Sequence, residues 1–185
     1  MTLPAWATPT EYLANGSFET GDFTGWTQGG DTSFTSVTTG GYGPEDGSYS
    51  VFAGPQTPGT LSQTFADLPG EGLAISGWVT SLGFQPNGFT FLFNGAPVAG
   101  MDPIPAMPWT EFTATATATG LDTFTLTFYN VQSFDGYDNF SILGDGNAGG
   151  GDPGGGGTTS TPEPGTLLVL GTALLALNRV RRRRW

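Results

Sequence analysis

Residues 122–130 read DTFTLTFYN, and this stretch decides the fold class. Phe124, Leu126 and Phe128 fall two apart, with Thr123, Thr125 and Thr127 between them. Side chains alternate across a β-strand, so this strand has one apolar face and one wet face. A helix would scatter the same phenylalanines around its circumference. One buried and one solvated side is the signature of an antiparallel sheet that packs one face on a core.

The same period of two recurs on both sides of it. Upstream lie WTEFTATATAT (109–119), FTFLF (89–93), LAISGWVTS (73–81), TLSQTFA (60–66), SYSVFA (48–53) and TSFTSVT (32–38); downstream lies YDNFSIL (137–143). Turn residues separate these runs, and no stretch between residues 11 and 143 sustains a helical period. Asn94-Gly95 sits between two apolar runs and predicts a two-residue type I′ hairpin, because both central positions of that turn need positive φ. The expectation is an all-β sandwich of about eight antiparallel strands, with Phe18, Trp26, Val51, Phe65, Ile75, Phe91, Phe124, Leu126, Phe128 and Ile142 inside.

Composition agrees and removes several chemistries. Glycine (31) and proline (14) make up about a quarter of the 185 residues, while aromatics hold at 13%, enough to fill one core. There is no cysteine and no histidine, so disulfides, thiol nucleophiles, Cys/His zinc sites and the usual general base near neutral pH are absent. All five cationic side chains are arginines at the far C-terminus, against 16 acidic residues. Phosphate binding needs Lys or Arg on the folded part, so nucleic acid is not an expected partner.

The ends of the chain have their own character. Residues 1–10 include Ala5-Trp6-Ala7, a small-x-small pattern that could end a signal peptide, without the basic and apolar regions that precede such a site. We expect the natural start to lie upstream. After the domain at 11–143, residues 144–160 are a glycine tract that reads as a flexible linker. From Gly165 to Leu177 the chain runs 13 residues without charge. As a helix this spans about 20 Å, short of a roughly 30 Å hydrocarbon core; extension through Val180 with a snorkelling Arg179 brings it close. Arg179, Arg181, Arg182, Arg183 and Arg184 then mark the cytoplasmic end of a short transmembrane helix.

Residues 161–185 as a whole carry a resemblance. Pro162-Glu163-Pro164, a short apolar helix and a terminal arginine cluster, in that order, resemble the PEP-CTERM sorting signal of Gram-negative bacteria. The resemblance implies recognition by a membrane-embedded exosortase, cleavage near Pro162-Glu163-Pro164, transient anchoring in the inner membrane, and delivery to the cell surface or extracellular matrix. A similar tail also goes under the description of an ice-binding protein C-terminal domain, which describes the tail and demonstrates no activity.

A second resemblance joins the two ends of the domain. LANGSFETGDFTGW (13–26), GSYSVF (47–52) and DGYDNFSIL (135–143) resemble strands of galactose-binding-like jelly rolls, including several carbohydrate-binding modules. The resemblance implies a structural calcium, with the carboxylates of Glu19 and Asp138 and backbone oxygens near Gly21 and Ser48 as its ligands. Calcium takes six to eight oxygens, which an acidic domain supplies. Trp26 is expected as a buried anchor.

Sugar contact requires an exposed aromatic face beside amides or carboxylates. The candidates are Trp109, Tyr42 and Tyr129, followed by Trp78 and Phe84, with Gln85 and Asn87 as polar partners; Trp78 reads as core and Trp109 as a loop aromatic. The TATATAT run (113–119) lines one strand face with threonine, which reads as a solvated sandwich edge, since an ice face needs several such strands in register. Glu45/Asp46 and Asp135/Asp138 are the carboxylate pairs that a glycosidase could use. The function expected is that of an exported, non-catalytic surface or matrix protein, structural or associated with exopolysaccharide. A carbohydrate-binding module is the alternative; a glycan-active enzyme and an ice-binding protein rank below.

Overall fold

The computed structural model describes residues 8–146. Their eleven strands are β1 (Thr10–Glu11), β2 (Thr27–Gly30), β3 (Thr35–Thr38), β4 (Ser50–Ala53), β5 (Gly59–Ala66), β6 (Gly72–Leu82), β7 (Asn87–Phe93), β8 (Ala96–Met101), β9 (Ala106–Thr117), β10 (Leu121–Asn130) and β11 (Asp135–Gly144). No helix occurs among the described residues. The transmembrane-helix, linker and sorting-signal expectations fall at or beyond residue 144, almost wholly outside the described residues, as do Met1 to Ala7.

The strands form two antiparallel sheets. One runs β3-β4-β11-β6-β9, with β1 also paired to β11, and the other runs β2-β5-β10-β7-β8. The strand that opened the sequence reading, β10, is central in the second sheet, between β5 and β7. Phe124, Leu126 and Phe128 are at most 2% exposed, and the threonines between them face out. All ten expected core residues are buried. Asn94 and Gly95 have φ of 50° and 78° and join β7 to β8, as a type I′ turn requires.

Three strands lack the signal that marks the others. β2 (TQGG) and β8 (APVAGM) are the two edges of the second sheet; β2 is polar, and β8, the second arm of the expected hairpin, packs Val98, Ala99 and Met101 on the core without strict alternation. β1 is two residues long and exists only by pairing Thr10 with Gly144 and Glu11 with Leu143. Edge strands bury little, so their sequences carry little hydrophobic pattern. β9 starts earlier than expected and contains Pro108, which the edge of a sheet tolerates because one side of the strand has no ladder to break.

The core is aromatic. Phe18 stacks on Trp26 with ring centroids 5.5 Å apart, and Phe140 meets Phe18, Trp26, Phe91 and Phe124 at 5.5–6.0 Å. Such pairs contribute about 0.5–1.5 kcal/mol each beyond their buried area. The Trp26 indole donates to the Asn15 carbonyl at 3.0 Å, which satisfies its one polar atom. Gly16 closes the join between the domain's two ends: its carbonyl accepts the Phe140 amide at 3.0 Å, and a Cβ there would lie 1.9 Å from the Phe140 carbonyl oxygen.

Candidate functional site

Strand parity fixes which side chains reach solvent on the first sheet. In β6, Leu73, Ile75 and Val79 point into the core, so Ala74, Ser76 and Trp78 point out, while Thr80 is buried. Trp78, expected in the core, is therefore a partly exposed residue of the outer face. Its run of apolar neighbours obscured the alternation, because Gly77 holds the inward position beside it.

Cross-strand register then builds this face in rows. Leu143, Ala74 and Thr115 form one; Ser141, Ser76 and Thr113 the next; Asp138, Trp78 and Glu111 the third. Ala74, Ser76, Glu111, Thr113, Thr115, Ser141 and Leu143 line a groove of about 550 Å³. Beyond Trp78, Gly136 pairs with Thr80, and Trp109 follows at a register shift between β6 and β9. Trp109 lies within β9 and not in a loop, and it is partly exposed.

Gly136 is the floor beneath two aromatic rings. A Cβ on it would lie 2.9 Å from the Trp109 ring and 3.2 Å from the Tyr42 ring, so the two rings converge above a position that only glycine leaves open. Tyr42 is held there from two sides. Its hydroxyl donates to the Phe134 carbonyl at 2.7 Å, and its ring packs on Phe52 with centroids 5.5 Å apart. Phe52 in turn stacks on Phe134 at 4.2 Å and 8°. Fixed aromatic rings beside hydroxyls and a carboxylate are what a pyranose ring needs, an apolar face to stack on and donors and acceptors at its rim.

The remaining sugar-contact candidates are not part of this surface. Tyr129 points outward from β10 on the other sheet, where its hydroxyl donates to Asp102 Oδ2 at 3.0 Å. Asn87 is fully buried and structural: its side chain donates to the Ile104 carbonyl and to Ser81 Oγ and accepts the Ile104 amide. Phe84 and Gln85 are exposed in the β6–β7 loop.

Of the carboxylate pairs, Asp135 and Asp138 are separated. Asp135 faces the interior of β11, where its Oδ1 accepts from Asn130 at 3.1 Å and its Oδ2 has no partner; burial pushes its pKa up to about 6. Asp138 lies on the opposite face of the strand. The two therefore cannot address one substrate bond across a cleft. Glu45 instead accepts a hydrogen bond from the Asn139 side chain.

Glu19 and Asp138 grip one loop. Glu19 Oε1 accepts the amides of Ser48 and Tyr49 at 2.8 and 2.9 Å, while Asp138 accepts those of Glu45 and Asn139, both at 2.8 Å. Gly21 packs under the Tyr49 ring. Among the described residues no three acidic side chains gather as a metal cluster. Glu19 Oε2 accepts no hydrogen bond, whereas both oxygens of Asp138 are engaged by amides. The alternating threonines of β9, Thr113, Thr115 and Thr117, are exposed on one strand only, with Ala114 and Ala116 packed toward the core between them.

Comparison with known proteins adds two findings. Residues 160–184 match the PEP-CTERM protein-sorting motif. The sequence matches no curated protein. Among solved structures, the chain is similar to TmCBM61, determined in complex with β-1,4-galactotriose, at TM-score 0.58 and 20% identity over 72% of this chain and 97% of that one. It is also similar to the CBM22-1 xylan-binding domain of Paenibacillus barcinonensis Xyn10C (0.54, 21% identity, 75% and 95% covered). A third is the K3 adhesin domain of Lys-gingipain from Porphyromonas gingivalis (0.56, 16% identity, 74% and 99% covered). At these identities the likeness concerns the fold. The chain thus carries a PEP-CTERM sorting motif behind a domain with the jelly-roll fold of carbohydrate-binding modules.

Proposed function

We propose that this chain is an exported protein of a Gram-negative cell surface or extracellular matrix, whose jelly-roll domain binds polysaccharide without catalysis. The observation that carries the reading is the convergence of Tyr42 and Trp109 over Gly136, on the same outer face as Trp78. Two rings fixed at one glycine and a third one strand pair away form a stacking track along the sheet. The neutral oligosaccharides named for the similar solved structures, a galactotriose and a xylan, make neutral β-linked glycans the first ligands to try. Exosortase is the partner implied by the sorting motif, and anchoring in the inner membrane precedes release.

The test is a glycan array probed with the domain of residues 8–146, with and without calcium, followed by calorimetry on any glycan retained. The fragment has its own core, so it is a fair reagent. Trp109→Ala and Tyr42→Ala should each weaken binding about tenfold, roughly 1.4 kcal/mol, the scale of truncating one aromatic anchor of a binding surface. Tyr129→Ala, on the other sheet, should not. Retention of no glycan, or equal binding by all three variants, overturns the proposal.

A further inference from the structure

The groove that leads from Trp78 carries an acidic group with nothing to neutralise it. Glu111 stands opposite Trp78 in the β6–β9 register, at the end of the 550 Å³ groove, and its exposed carboxylate makes no hydrogen bond or ion pair among the described residues. The groove floor is small, Ala74 and Ser76, and its walls are the hydroxyls of Thr113, Thr115 and Ser141 together with the exposed Leu143. The far wall adds a second carboxylate, because Ser141 donates to Glu11, whose other oxygen accepts the amides of Leu13 and Ile142. Residues 8–146 contain no lysine, arginine or histidine, so nothing on the domain offsets these charges.

We propose that this groove selects a glycan bearing free amines, a polymer of wholly or partly N-deacetylated amino sugar, with Glu111 pairing the ammonium of the unit next to the one stacked on Trp78. The inference rests on the polysaccharide-binding reading above and narrows it to a ligand class. A neutral sugar offers Glu111 only hydroxyl donors. An ammonium offers a charge-assisted hydrogen bond, and a uronate or sulfate in the same place meets like charge without a compensating cation. Hydroxyl walls suit the equatorial substituents of an extended β-linked chain lying along the strand pair.

The experiment compares β-1,4-linked glucosamine hexamer, its N-acetylated counterpart, cellohexaose and a galacturonate hexamer, by calorimetry on the 8–146 domain. It is run at mildly acidic pH, where the amine is charged, and at alkaline pH, where it is not. We expect the glucosamine hexamer to bind about fivefold more tightly than the neutral ones at acidic pH, the size of one exposed ion pair. That preference should vanish at alkaline pH, and the galacturonate hexamer should bind least. Glu111→Gln should lose the preference and keep neutral binding. Asp102→Asn removes the same charge from the other sheet and should keep the preference, which separates pairing at Glu111 from the general field of an acidic protein. Equal affinity for charged and neutral hexamers, or equal loss of preference in both variants, overturns this inference and leaves the polysaccharide reading standing. Binding of none of the four, with an empty glycan array, overturns both.

Discussion

Glu19 and Asp138 lie 119 positions apart and hold the same short loop from two sides, Glu19 through the amides of Ser48 and Tyr49 and Asp138 through that of Glu45. The loop thereby joins the first turn of the domain to its last strand. A calcium held here, as the resemblance to galactose-binding-like jelly rolls implies, would tie these distant parts of the chain together.

Calcium is therefore expected to raise the melting temperature of the 8–146 domain. The gain is about 2.7 kcal/mol when free calcium exceeds its dissociation constant a hundredfold. Magnesium, smaller and bound to octahedral geometry, should stabilise much less; simple screening would make the two ions equivalent. Thermal melts in chelator, calcium and magnesium, repeated with Glu19→Ala and Asp138→Ala, check this. Equal shifts from both ions, or an undiminished calcium shift in both variants, rule the site out.

A second expectation concerns acid. Burial pushes Asp135 up to about 6 from an ordinary 3.8, opposed by the hydrogen bond from Asn130, so the folded state prefers its neutral form. A raised folded pKa contributes stability that is present below the unfolded value and lost as pH rises through the folded one. The domain should lose about 3 kcal/mol from this group between pH 4 and pH 6.5. Burial raises Asp138 in the same direction, to about 6. Asp31, held down to about 2 by hydrogen bonds from Ser33 and Thr57, loses its contribution only below this window. Urea denaturation across that range, in chelator, should show Asp135→Asn with a shallower decline than the parent chain. Identical pH profiles would refute the assignment.

Gly136→Ala should separate binding from folding. The added Cβ would lie 2.6 Å from Thr80 Cγ2 and 2.9 Å from the Trp109 ring, so the rings must part. Stability should fall by about 1–3 kcal/mol, the usual cost of overpacking. Affinity for any glycan found on the array should drop at least tenfold, with the circular dichroism spectrum remaining that of β-structure. Full affinity in this variant would place the binding surface elsewhere.

The sorting motif predicts processing. In its native host the secreted protein should end near Pro164, as read by mass spectrometry, and Asp or Ala in place of Glu163 should leave the precursor in the membrane fraction. An extracellular form that retains Trp185 would contradict the reading.

The sandwich, its inward residues, the Asn94-Gly95 turn and the sorting motif were legible in the order of the residues. Each of these is local: a strand's parity, a turn's φ requirement and a contiguous peptide signal are all written in neighbouring residues. β2 was illegible because an edge strand reading TQGG buries too little to impose an apolar pattern, and β1 because two residues acquire meaning only beside Gly144 and Leu143. The candidate site was legible only in its parts. Tyr42 and Trp109 were visible as aromatics, but their convergence depends on Gly136, which enters from a third segment. Trp78 was assigned to the core because its neighbours are apolar, whereas the register of β6 against β9 and β11 turns it outward between Asp138 and Glu111. Only tertiary structure could decide this, because which face of a sheet meets water follows from the second sheet packed against the other side, and no single strand specifies its partner.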